Sequence, residues 1–125
     1  MRQKHLPVLG SLLLMLGCYG PERNCQDFRN GTFTFSTEIN GETRTTTFVR
    51  DGDQEIDYYQ GQADTSSVRW INDCEYVVRK LNPQNLSEEQ SIHMKILSTT
   101  ADSYTFEYRI LGSPETSRGT AYKTD

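Results

Sequence analysis

The sequence predicts an all-β domain, a small antiparallel up-and-down meander of about eight strands. Three observations carry this. Apolar and polar residues alternate with a period of two through most of the chain beyond residue 30, the pattern of half-buried strands. There Tyr, Phe, Thr and Val prevail over Ala and Leu, and these side chains favour a pleated sheet. The connections are short and rich in Asn, Gly and Asp, the residues of tight turns.

In the first strand Phe33, Phe35, Thr37 and Ile39 take one face, with Thr32, Thr34, Ser36 and Glu38 on the other. Asn40-Gly41 follows, the strongest two-residue hairpin signal because both positions need φ > 0. Pairing across it sets Phe33 opposite Phe48 and Phe35 opposite Thr46. At Asp51-Gly52-Asp53 a two-residue turn would oppose Phe48 to Glu55. A three-residue loop opposes it to Ile56, and Thr46 to Tyr58. One slip turns a whole face outward, so the apolar pairing predicts the three-residue loop, with Ile56 and Tyr58 inward.

Val68 and Trp70 share a parity with Cys74, Tyr76 and Val78. A turn at residues 71–73 sets Trp70 opposite Cys74 and Val68 opposite Tyr76. Ile92, Met94 and Ile96 then alternate with His93 and Lys95, and Tyr104, Phe106, Tyr108 and Ile110 with Thr105, Glu107 and Arg109; Thr120 and Tyr122 end the pattern. Strands are expected near residues 32–39, 42–50, 54–60, 65–71, 74–81, 90–98, 103–111 and 117–123. Residues 82–89 form the one longer connection, with room for a helical turn capped by Asn85 or Ser87. Eight sequential antiparallel strands point to closure as a lipocalin-like barrel, since closure removes the edges; an open barrel or sandwich is the alternative. With strands this short and an inward face this aromatic, the interior is expected to be largely filled.

The first 17 residues differ from the rest. Arg2 and Lys4 precede an apolar run from Leu6 to Leu16, closed by Gly17 and Cys18, the layout of a secretory signal peptide. The run is too short to span a bilayer, which takes about 20 residues. Leu14-Met15-Leu16-Gly17-Cys18 resembles a bacterial lipobox, with Met15 and Leu16 looser than the pattern prefers. That resemblance implies a thioether-linked lipid on Cys18 and an acylated amine carrying a palmitate-type chain. At about 0.8 kcal/mol per buried CH₂, several chains make a lasting anchor. The chain then divides into a signal peptide (1–17), a lipidated N-terminus and tether (18–24) and a single β domain (25–125).

Two cysteines remain, Cys25 and Cys74. In an oxidising compartment they are expected to pair, closing a loop of about 50 residues for roughly 4 kcal/mol. A free Cys74 or a Cys18–Cys25 bridge are the alternatives. Without residues 1–17 the 13 basic residues lose Arg2 and Lys4, leaving 11 against 17 acids, a net charge of −6. An acidic chain without a basic stripe is unsuited to phosphate backbones, which argues against nucleic acid as a partner.

Cys25-Gln-Asp-Phe28 with Gly31-Thr-Phe33-Thr-Phe35, then Val68-Arg-Trp70-Ile-Asn-Asp-Cys74-Glu-Tyr76, resembles a family of small, uncharacterised lipoproteins of the Bacteroidetes group. The resemblance covers most of the chain after the signal and brings no known chemistry. It implies a lipid-anchored envelope protein and supports the Cys25–Cys74 pair.

Motifs for catalysis are lacking. His93, the one histidine after the signal, has the parity of the outer face beside Lys95, where a solvated role is expected. There is no HExxH, CxxC or nucleophile motif, so neither an enzyme nor a cofactor is expected. Read from Asp51, a calcium loop would need Gly at its sixth position and Glu at its twelfth. These are Ile56 and Gln62, so no metal site is assigned, and Asp51, Asp53, Glu55 and Asp57 read as a turn followed by acids on the solvent face. Asn30-Gly31-Thr32 and Asn85-Leu86-Ser87 fit a glycosylation acceptor only in a eukaryotic pathway, against the lipobox.

The expected function is a non-catalytic binding module of the cell envelope: an outer-membrane lipoprotein, on the periplasmic face, held to the membrane through its N-terminal lipid. Its partner would be a small hydrophobic ligand at the barrel mouth, with Tyr58, Trp70 and Tyr108 as the aromatic candidates. A hydrophobic ligand needs a cavity above about 300 Å³. The alternative is an envelope protein partner, with the barrel acting like a lysozyme-inhibitor lipoprotein whose acidity suits a basic target.

Overall fold

A computed structural model describes residues 23–125. The expected signal peptide (1–17), the lipid site Cys18 and most of the tether lie outside the described residues. A 3-10 turn at Cys25–Phe28 is followed by eight strands: β1 (Gly31–Ile39), β2 (Glu42–Asp51), β3 (Gln54–Tyr59), β4 (Gln62–Asn72), β5 (Glu75–Lys80), β6 (Ile92–Thr99), β7 (Ser103–Ile110) and β8 (Ser117–Lys123). Each strand pairs antiparallel with the next, and β8 pairs back onto β1, so the sheet is a closed barrel. Closure excludes the open sandwich.

The first hairpin has the expected register. Asn40 and Gly41 both take positive φ, 54° and 81°, and Phe33 faces Phe48 while Phe35 faces Thr46. The second hairpin corrects the expectation. Its loop is two residues, Gly52-Asp53, closed by the Asp51–Gln54 pair. Gly52 sits at φ 64°, and its N–H donates to Asn30 Oδ1 at 2.7 Å. That anchor lengthens β2 through Asp51. Phe48 then opposes Asp57, and Arg50 opposes Glu55. The inward face of β3 is therefore Glu55 and Asp57, while Ile56 and Tyr58 point outward; the acids are not on the solvent face.

The β4–β5 hairpin also shifts, by two residues, so its inward face survives. Trp70 pairs with Tyr76 and Val68 with Val78, not with Cys74 and Tyr76. The cause is an irregularity between Trp70 and Asn72, with Asn72 Oδ1 accepting the Cys74 N–H at 2.9 Å. β4 begins at Gln62, earlier than its polar sequence indicates, because Gln60-Gly61 forms a positive-φ turn. Residues 82–89 contain turns rather than a strand or helix, and Asn85 Oδ1 accepts the Glu88 N–H at 2.9 Å, the expected cap.

The core fills the half of the barrel nearest the 3-10 turn. Phe28 is the stopper, wholly buried against Phe33 and Tyr104 at ring distances of 6.3 and 5.2 Å. Cys25 is disulfide-bonded to Cys74, fastening the stopper to the β4–β5 turn. Gly119 is required on β8: a Cβ there would strike the Phe35 ring and come within 3.0 Å of Phe106.

Candidate functional site

The corrected β2–β3 register brings an ion pair into the barrel. Arg50 and Glu55 are directly opposed on neighbouring strands, both facing inward, with side chains only 1% and 10% exposed. Arg50 Nε and Nη2 donate to Glu55 Oε1 at 3.1 and 3.0 Å, and Nη1 donates to the Phe28 carbonyl at 2.7 Å. Nη2 also donates to the hydroxyls of Tyr76 (2.8 Å) and Tyr104 (3.0 Å), which lie 3.3 Å from each other. The guanidinium carbon is 4.6 Å from the Tyr76 ring centre, 5.1 Å from Phe33 and 5.5 Å from Phe48. Burial opposes the charge of Arg50, but the oxygens of Tyr76, Tyr104 and Glu55 outweigh it, so the guanidinium stays protonated. Burial foremost holds both tyrosines neutral beyond their ordinary range. Every nitrogen of Arg50 already donates within the protein, which makes the network a rigid floor.

Above the floor a cavity of about 280 Å³ opens away from the 3-10 turn. Its walls are the rings of Phe35, Phe106 and Tyr108 and the aliphatic chains of Val78, Ile92 and Met94; Thr46, Glu55 and Asp57 supply polar atoms. The interior is thus not filled throughout, as the sequence led us to expect, but filled at one end and open at the other.

Asp57 is the most strongly shifted carboxyl lining this space. Burial first, then the charge and hydrogen bond of Glu55, raise its carboxyl from 3.8 to about 8, against the lowering effect of Arg50. The Asp57–Glu55 pair therefore keeps a proton to higher pH than a free carboxylate would. A carboxyl raised on folding contributes stability that is fully present below about pH 4 and is lost as pH rises through about 8. Each pH unit in that window is worth at most about 1.4 kcal/mol. Asp57→Asn copies the protonated acid without its titration. We therefore expect Asp57→Asn to raise Tm, and to raise it clearly more at pH 8.5 than at pH 5, measured by thermal circular dichroism. Comparing the two proteins at each pH cancels the carboxyls that do not interact with Asp57. An equal effect at both pH values would contradict the assignment.

Of the three aromatic candidates, the structure brings one to the cavity. Tyr108 lines it, 5.7 Å from the Phe106 ring. Tyr58 is on the outer face of β3, 45% exposed, as the register correction requires. Trp70 belongs to the stopper end, its ring 4.4 Å from Tyr76 and covered by the Arg29 guanidinium at 4.6 Å. His93 is on the outer face but is not solvated: Nε2 lies 2.9 Å from Glu75 Oε1, and the side chain is 16% exposed. The hydrogen bond from Asn72, with that of His93, holds Glu75 below the usual carboxylate range. Among the described residues, no group of three or more His, Cys, Asp or Glu could hold a metal ion.

Sequence reasoning missed Arg50, Glu55 and Asp57 because charged residues beside a turn normally face water. The available signal was Tyr76 and Tyr104, two inward tyrosines whose hydroxyls need a buried partner. No family model matches the chain, and neither a curated protein nor a solved structure matches it.

Proposed function

We propose that this protein is a lipid-anchored, non-catalytic binding module of the cell envelope, of the Bacteroidetes lipoprotein type, held at the outer membrane through Cys18 and facing the periplasm. The observation that carries the binding part is the cavity of about 280 Å³, with aromatic and aliphatic walls over a prearranged polar floor. Pockets for drug-sized ligands run from about 300 to 1,000 Å³. The cavity falls just short of that range and of the size set above for a hydrophobic ligand, so its occupant is smaller than a lipid and carries a polar group. The floor favours binding over turnover: Arg50 and Glu55 are locked to one another.

The anchor is supported by the lipobox and the preceding apolar run. Native mass spectrometry of the protein extracted from its own membrane tests both parts. The expected spectrum shows a lipidated Cys18 as the first residue and a satellite peak carrying one small molecule. An unmodified Cys18 would overturn the anchor. A ligand-free protein in every preparation, unable to take up any small probe, would overturn the binding reading.

A further inference from the structure

We infer that the barrel cavity is a site for a small organic cation, a primary ammonium on a short aromatic or aliphatic body, seated with its nitrogen on Asp57 and its body against Phe35, Phe106 and Tyr108. This rests on the binding reading above and adds the chemical class of the ligand.

The groups left available in the cavity decide what it can hold. Among the described residues Arg50 is the one cation lining the cavity, and each of its nitrogens already donates to Glu55, Phe28, Tyr76 or Tyr104. An anion entering the cavity would meet a guanidinium already bonded through all three nitrogens, with at most one Nη1 N–H to spare, beside the carboxyls of Glu55 and Asp57. Asp57 has no such cation of its own. The groups around it are Glu55 on its own strand, Arg50 on β2, and Asp64 directly opposite on β4. The tyrosines Tyr76, Tyr104 and Tyr108 line the same space from β5 and β7. Among the described residues, the cations with inward parity near the mouth each have a partner, although Arg44 Nε itself has none. Arg44 lies against the Tyr59 hydroxyl (3.2 Å) and Glu42 (3.4 Å), and Lys80 against Glu88 (3.5 Å) and Asp64 (3.7 Å). A carboxyl in an apolar wall without a counter-ion keeps a proton to higher pH, and that is the case of Asp57 beside Glu55. An incoming ammonium supplies the missing charge. Aromatic faces attract a cation as well, by about 0.5–2 kcal/mol for a ring within about 6 Å.

Binding then has a proton balance. R–NH₃⁺ enters and Asp57–COOH becomes Asp57–COO⁻, releasing one proton to solvent while the ammonium keeps its own. Below about pH 8 the affinity should therefore rise with pH, by up to tenfold per unit.

The test is isothermal titration calorimetry of the purified full chain with three probes of nearly one shape: 2-phenylethylammonium, 2-phenylethanol and 3-phenylpropionate. We expect the ammonium to bind best, to tighten about tenfold between pH 6 and pH 7, and to release close to one proton at pH 7, read from buffers of different ionisation heat. In Asp57→Asn, which retains the fold by the stability argument above, affinity for the ammonium should fall at least tenfold and proton release should vanish. If the alcohol binds as tightly as the ammonium with no proton release, or if the carboxylate binds best, the cation assignment is wrong while the cavity remains a binding site. If none of the three binds, the cation assignment fails; if the native spectrum also shows no occupant, the binding reading fails with it.

Discussion

Arg50→Met is expected to destabilise the barrel by about 3–5 kcal/mol, the cost of leaving one member of a buried ion pair without its partner. For a domain of this size that lowers Tm by roughly 15–30 °C. The size of the effect follows from what methionine cannot replace. Glu55 is left without its ion-pair partner in a site 10% exposed, and the Phe28 carbonyl and the hydroxyls of Tyr76 and Tyr104 lose a donor together. The double variant Arg50→Met with Glu55→Gln removes the stranded charge and should recover part of the loss. A double-mutant cycle by thermal unfolding measures the coupling. Additive effects, with the double variant less stable than Arg50→Met, would show that the pair is not the unit described here.

The second large effect is expected on removing the disulfide. Replacing Cys25 and Cys74 together by serine releases a cross-link spanning 49 residues, which the chain-entropy estimate values at roughly 4 kcal/mol. The consequence reaches the floor of the site. Cys25 and Phe28 share the 3-10 turn, and the Phe28 carbonyl accepts from Arg50. A loosened stopper therefore weakens the Arg50 network at one of its acceptors. Thermal unfolding in the presence and absence of a reductant checks this: the native chain should lose stability on reduction and the serine variant should not respond. Equal unfolding midpoints for the native chain and the serine variant would contradict a structural role for the bridge.

How far the sequence could be read depended on whether local chemistry admitted one answer. Asn40-Gly41 permits essentially one hairpin, so the β1–β2 register followed directly. The cysteine count, with the oxidising compartment expected from the N-terminal segment, favoured the Cys25–Cys74 bridge over its alternatives, and the bridge is present. Asp51-Gly52-Asp53-Gln54 admits turns of different lengths, and the choice fell to apolar alternation, which places Ile56 and Tyr58 inside. That rule assumes an apolar interior. Here the interior is polar at one level, because Arg50 and Glu55 satisfy each other, and the anchor that sets the register, Asn30 to the Gly52 N–H, comes from 22 residues away. At Trp70 the shift was by two, so the face was right and the partner wrong. The cavity could not be read at all, since it is the space left after Phe35, Met94 and Tyr108 have packed.

The central claim is that one end of this barrel is a fastened stopper and the other a prearranged pocket. A crystal structure of the protein purified from its native source tests it most directly. The account predicts the Arg50–Glu55 pair in place at the floor, and density for one compact molecule between Asp57, Phe35 and Tyr108. Side chains collapsed into that space with no molecule present, or Glu55 and Asp57 facing solvent, would contradict it.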